Sequence, residues 1–135
     1  MAFIRTVRYE EAVGNIKEGY DAILRHNLNI PNVHAVSAIC HEFMETLALH
    51  IHAVMNSRSS LSALEKEMVA TVVSAINKCQ YWATAHVESL HEHEPDSQLA
   101  RQFGENFREA GLQEKHVVML EFAESLTLRP FGKAA

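Results

Sequence analysis

The chain has 135 residues, 47% hydrophobic and 21% charged, with a formal net charge of −5, two cysteines and nine histidines. That length suits a single domain over residues 1–135, large enough to bury a core without disulfides or metal. The acidic balance, the lack of a basic run, of a membrane-length apolar run and of a signal-peptide core argue against a nucleic-acid or membrane partner, and a cytoplasmic protein is expected.

Helical periodicity dominates, and no alternating strand pattern interrupts it. The first expected helix covers residues 10–25, with Val13, Ile16, Tyr20, Ile23 and Leu24 on one side. Residues 27–32, with Pro31 among them, read as a connector. One long helix is expected over 33–55. Val36, Ile39, Cys40, Phe43, Leu47, Ile51 and Val54 recur there at three- and four-residue steps and form its apolar stripe. Within that stripe Cys40 reads as a small buried hydrophobe. The run Asn56-Ser57-Arg58-Ser59-Ser60 is a polar break.

A third helix, residues 62–76, opens on a capping box: Ser62, then Glu65 three residues on. Leu64, Met68, Val72 and Ile76 follow as its buried line. Asn77-Lys78 makes a short break, and Asn77 suits the N-cap of the next helix, residues 79–91. Glu94-Pro95-Asp96 ends that helix and begins another short helical piece, with Gly104 and Gly111 as weaker interruptions. The last helix, residues 114–128, carries Val118, Met119, Phe122 and Leu126, and Pro130 lies just beyond it. The fold class is therefore all-α, an antiparallel helical bundle of about six helices with short connections.

The chemistry-bearing residues gather at the start of the fourth helix. At about 100° per residue, Cys79, Trp82 and His86 project within about 60° of one another, and His93 continues that face. Cys79 falls in the first turn, where unpaired backbone N–H groups and the helix dipole favour a thiolate. On the preceding helix Glu67 lies at the edge of the apolar stripe, with Thr71 and Ser74 as small polar neighbours. Two antiparallel helices joined at Asn77-Lys78 would bring Glu67 within reach of His86, where a carboxylate orients the imidazole for acid–base work. Trp82, Thr71, His50 and His93 are candidates for lining the same pocket. His50-Ile51-His52 and His91-x-His93 cannot place both rings on one helix face. Cys79, His86 and Glu67 lack the usual spacing of zinc ligands, so no metal and no cofactor are expected.

The stretch from Leu61 through His86 resembles the AhpD-like alkylhydroperoxidase and carboxymuconolactone decarboxylase family. Its signature is a glutamate on one helix, then Cys-x-x-Cys-x-x-x-His at the start of the next. Here Glu67 precedes Cys79 by the family's twelve residues, and His86 follows Cys79 by the family's seven. Ile30-Pro31-Asn32-Val33 is similar to the entry of the long helix in the peroxidase-related branch. The closing segment from Phe122 through Leu126-Thr127 to Pro130 is similar to its C-terminal motif. The resemblance implies catalytic roles for Cys79, His86 and Glu67. It also puts Trp82 where the family has its second, peroxide-attacking cysteine, so a dithiol cycle cannot run inside the motif. Many peroxidase-related relatives continue into further helices beyond the point reached here at Gly132-Lys133-Ala134-Ala135.

The function this implies is a thiol-dependent, peroxidase-related oxidoreductase of antioxidant type. Cys79 would be the redox thiol, and an external thiol reductant would resolve it. The alternatives are a cofactor-free lyase of the decarboxylase type relying on His86 and Glu67, or a catalytically inactive oligomer. The resemblance further implies a small-molecule substrate and a homo-oligomer, a trimer or hexamer.

Overall fold

The computed structural model describes residues 4–25, 29–93 and 106–131. Among them every regular element is helical, and none is long and apolar enough to cross a membrane. The chain packs as two compact units, Met1–Ser57 and Arg58–Ala135.

In the first unit a 3-10 turn, Tyr9–Glu11, precedes helix α1, Gly14–Leu24. The expected helix over 10–25 is therefore interrupted. Val13 is fully extended at φ −134° and ψ 159°, and Gly14 takes φ +55°, a left-handed value that glycine adopts without strain. Val13, expected on the buried side, is exposed. The expected long helix over 33–55 is also two helices, α2 (Asn32–Ser37) and α3 (His41–Met55). Cys40 between them is extended at φ −129° and ψ 105°, and caps α3 by accepting the Met44 N–H at 3.0 Å. It is exposed rather than buried in a stripe. Ile39, Phe43 and Val54 of the expected stripe are exposed as well, Phe43 to 55%.

The core of this unit is Ala12, Tyr20, Ile23, Ala38 and Met44. Tyr20 is completely buried and donates its hydroxyl to the Val7 carbonyl at 2.7 Å, which satisfies its polar tip. Tyr9 donates to Asp21 at 2.7 Å, and the Lys17 ammonium sits 3.0 Å from the Tyr9 ring centroid. A Cβ at position 19 would collide with the Met44 methyl, so a larger residue there requires the Met44 side chain to shift.

The second unit contains α4 (Ala63–Ile76), α5 (Gln80–His93), a 3-10 turn (Phe107–Glu109) and α6 (Glu114–Leu128). The capping box forms as expected. The Ser62 hydroxyl accepts the Glu65 N–H at 3.1 Å, and the Ser62 N–H donates to the Glu65 carboxylate at 2.9 Å. The core is Met68, Val72, Leu90, Phe107, Ala110 and Leu120, with Leu64 and Ile76 packed against it.

On α6 the buried residues are Leu120 and Ala123, whereas the expected Val118, Phe122 and Leu126 are exposed, Phe122 to 67%. This helix is apolar on two sides, so its periodicity leaves the choice of buried side open. Arg108 on the 3-10 turn reaches α6 through Glu121 at 3.2 Å and Glu124 at 2.5 Å. The helical piece expected after Asp96, and Gly104, lie outside the described residues.

Candidate active site

The link between α4 and α5 positions the site. Asn77, expected as an N-cap, is instead the C-cap of α4 and remains in helical geometry at φ −73° and ψ −1°. Lys78 then turns left-handed, at φ +53°. Its N–H donates to the Ala75 carbonyl at 2.9 Å, and the Cys79 N–H donates to the Ser74 carbonyl at 3.0 Å. That pair of bonds is a Schellman closure, with lysine where glycine is usual. Helix α5 starts at once: the Cys79 carbonyl accepts the Ala83 N–H at 2.9 Å. Cys79 is thus the residue on which one helix closes and the next opens, and its side chain is a half-buried free thiol.

The turn lays α5 antiparallel on α4 and brings two acid–base side chains together. His86 Nδ1 lies 2.8 Å from Glu67 Oε2, with the side chains 17% and 15% exposed. A carboxylate only accepts, so Nδ1 donates to it; in the neutral imidazole Nε2 then carries the lone pair. Thr71 is completely buried, and its hydroxyl donates to the Glu67 carbonyl at 2.8 Å.

Trp82 covers the other side of the imidazole. The two rings stack at 5.3 Å between centroids and 18° between planes, and Tyr81 meets Trp82 edge-on at 5.2 Å and 73°. Along the α5 face Trp82 stands between Cys79, one turn before it, and His86, one turn after it.

Other expected site residues fall elsewhere. Thr71 is completely buried; His93 is exposed, about 10 Å along the axis of α5 from His86. His50 is exposed on α3 in the first unit. Sequence reasoning missed the left-handed Lys78, because no glycine marked it. It also missed the Trp82–His86 stack, although their four-residue separation was the signal for it. A cleft of about 710 Å³ lies in the first unit, lined by Val7, Tyr9, Tyr20, Ile30 and Ala35 among others. It includes none of the acid–base residues, so size alone does not mark the site.

Residues 41–100 match the carboxymuconolactone decarboxylase family, a segment that contains Glu67, Cys79, Trp82 and His86. The match to that family covers 60 of the 135 residues, 41 through 100. The chain is similar to the solved structure of an uncharacterized peroxidase-related protein from Silicibacter sp. TM1040, with 31% identity and a TM-score of 0.80. That match covers 87% of this chain and 62% of the other, so this chain spans under two-thirds of that relative. A second solved structure, described as an alkylhydroperoxidase AhpD core, is an uncharacterized peroxidase-related protein from Ralstonia eutropha JMP134. It is 21% identical with a TM-score of 0.86, covering 98% of this chain and 70% of that one, and shows a common fold. No curated protein matches the chain.

Proposed function

We propose that this AhpD-like chain is a thiol-dependent oxidoreductase of the peroxidase-related type, with Cys79 as its redox thiol and the Glu67–His86 pair as its proton-transfer group. The observation that carries the reading is the 2.8 Å bond between Glu67 and His86 on the helix that Cys79 opens. In the reaction the Cys79 thiolate attacks one oxygen of a small hydroperoxide. The O–O bond breaks, and the alkoxide departs with the electron pair. The thiol proton passes through solvent around Trp82 to His86 Nε2, which delivers a proton to the alkoxide, giving an alcohol and a sulfenic acid on Cys79. An external thiol then attacks the sulfenic sulfur and water leaves. A second thiol reduces the mixed disulfide, returning Cys79 and releasing an external disulfide. With Trp82 at the position of the family's second cysteine, the reductant comes from outside the motif.

The protein contains its own control. Cys40 is more exposed than Cys79, and its thiol contacts Glu42 at 3.6 Å rather than a histidine. Exposure to one equivalent of hydroperoxide with dimedone, followed by peptide mass spectrometry, should label Cys79 at least tenfold faster than Cys40. His86→Ala should slow the Cys79 reaction by about 10²-fold or more. Equal labelling of the two thiols would end this reading.

The Glu67–His86 pair is complete without the thiol, and Trp82 stands between thiol and imidazole. Those two facts favour, as a second reading, a cofactor-free lyase that uses the pair alone. It predicts turnover of a lactone-type substrate that survives Cys79→Ser and is lost in His86→Ala. A homo-oligomer is the proposed assembly, supported by the exposed Val118, Phe122 and Leu126 on α6. Its mass in solution is the test.

A further inference from the structure

We propose that Trp82 is a positioning residue for His86, holding the imidazole in the one orientation that keeps Nδ1 on Glu67 and Nε2 free. This deepens the reading above and rests on its Glu67–His86 pair, to which it adds the ring contacts of Trp82. An imidazole attached by a single Cβ–Cγ bond can turn about that bond, and a hydrogen bond from one nitrogen restrains only one edge of the ring. Here the edge is held by Glu67 at 2.8 Å and the face by the indole of Trp82, nearly parallel at 18°. Edge and face together leave the ring no free rotation. The indole is in turn braced by Tyr81, which meets it edge-on at 73°. The three aromatic rings and the carboxylate therefore form a connected support in the order Tyr81, Trp82, His86, Glu67.

The arrangement follows from helix geometry. Positions 82 and 86 are one turn apart on α5 and so lie on one face, while Glu67 approaches from α4. An aliphatic side chain at 82 could fill the same volume, but it would present no flat face to the ring. Aromatic pairing contributes to such contacts beyond the area it buries, enough to bias one ring orientation over another roughly three- to tenfold. Trp82 is the only tryptophan of the chain, so its fluorescence is an uncontaminated reporter of the stack.

The decisive measurement is nitrogen-15 and proton NMR of the His86 ring in the full chain. Wild type should show the Nδ1–H tautomer almost alone, with ring protons displaced upfield by the indole. Trp82→Phe should retain both features. Trp82→Leu, which keeps the bulk and discards the aromatic face, should keep the fold while losing the upfield displacement and admitting the Nε2–H tautomer by about three- to tenfold. Loss of wild-type tryptophan emission in a His86-dependent manner as the imidazole is protonated should accompany this. An unchanged tautomer ratio in Trp82→Leu, or in Trp82→Ala should leucine not be accommodated, would overturn the proposal. Should Cys79 fail to react with peroxide while these ring signatures behave as described, the oxidoreductase reading falls and the positioning role stands.

Discussion

In Met1–Ser57 the core is Ala12, Tyr20, Ile23, Ala38 and Met44, and the hydroxyls of Tyr20 and Tyr9 supply its cross-links. In Arg58–Ala135 it is Met68, Val72, Leu90, Phe107, Ala110 and Leu120, bordered by carboxylates that each have a partner. Glu65 has Ser62 and Lys115, Glu67 has His86, and Glu124 has Arg108. The first unit pairs carboxylates too, Glu11 with Arg8 and Asp21 with Tyr9, but it also buries His34 with its Nδ1 lacking a hydrogen-bond partner. The difference shows why the acid–base pair belongs to the second unit. Its core is apolar, with Phe107 among aliphatic side chains, and Glu65, Glu67 and Glu124 are paired at the margin, so a carboxylate and an imidazole are held at a set distance without disturbing what lies beneath.

The comparison is most severely tested by core truncation. Leu120→Ala should cost the second unit about 2–5 kcal/mol, and Met44→Ala should cost the first a similar amount. Hydrogen exchange resolved by residue should locate the loss in α4–α6 for the first variant and in α1–α3 for the second. Loss of protection spread evenly over the chain by either variant would erase the distinction between the units.

Acid should separate them next. Burial holds the His34 imidazole below its ordinary value of 6.5, so the neutral form is the folded one. Stability from that group is present above pH 6.5 and falls as pH drops through the lowered value. Glu65 differs: the backbone N–H of Ser62 first, then the Ser62 side chain and Lys115, hold its carboxyl at about 2 against an ordinary 4.5. Its contribution is present above pH 4.5 and is lost toward pH 2. The first unit should therefore loosen at a higher pH than the second in an acid titration followed by NMR, and His34→Leu should remove the earlier step. Simultaneous loosening in the parent chain would contradict this.

A smaller effect is expected at the α4–α5 turn. Lys78→Gly relieves the left-handed backbone and should stabilise the second unit by about 1 kcal/mol, as a rise in the urea midpoint at constant slope. A fall would mean that the lysine side chain contributes more than its backbone costs. The smallest effect on folding is expected from Phe122→Glu, within about 0.5 kcal/mol, because the side chain is already in solvent. The same variant should reduce the mass of the particle in light scattering. A monomeric parent chain, or an unchanged assembly in the variant, would remove the support that α6 lends to an oligomer.

Much of the second unit was legible from residue order because its instructions are local. Ser62 and Glu65 are three residues apart and satisfy one another's backbone groups whatever lies beyond them. Glu67 and His86 are nineteen apart, yet the short break between their helices leaves an antiparallel return as the simple solution. The first unit was harder to read. The break at Cys40 carries neither glycine nor proline, and the apolar stripe running through it gave no reason to expect one.

By itself the sequence determined that the chain is helical, where α4 begins, and that Glu67 and His86 can meet beside Cys79. Tertiary structure decided which of two apolar sides of α6 is buried, that Glu67 of α4 meets His86 at 2.8 Å, and that Thr71 is fully buried. The physical reason is the range of the interactions. Caps and turns close among neighbouring residues. The burial of one side chain rather than another depends on what the rest of the fold brings to cover it.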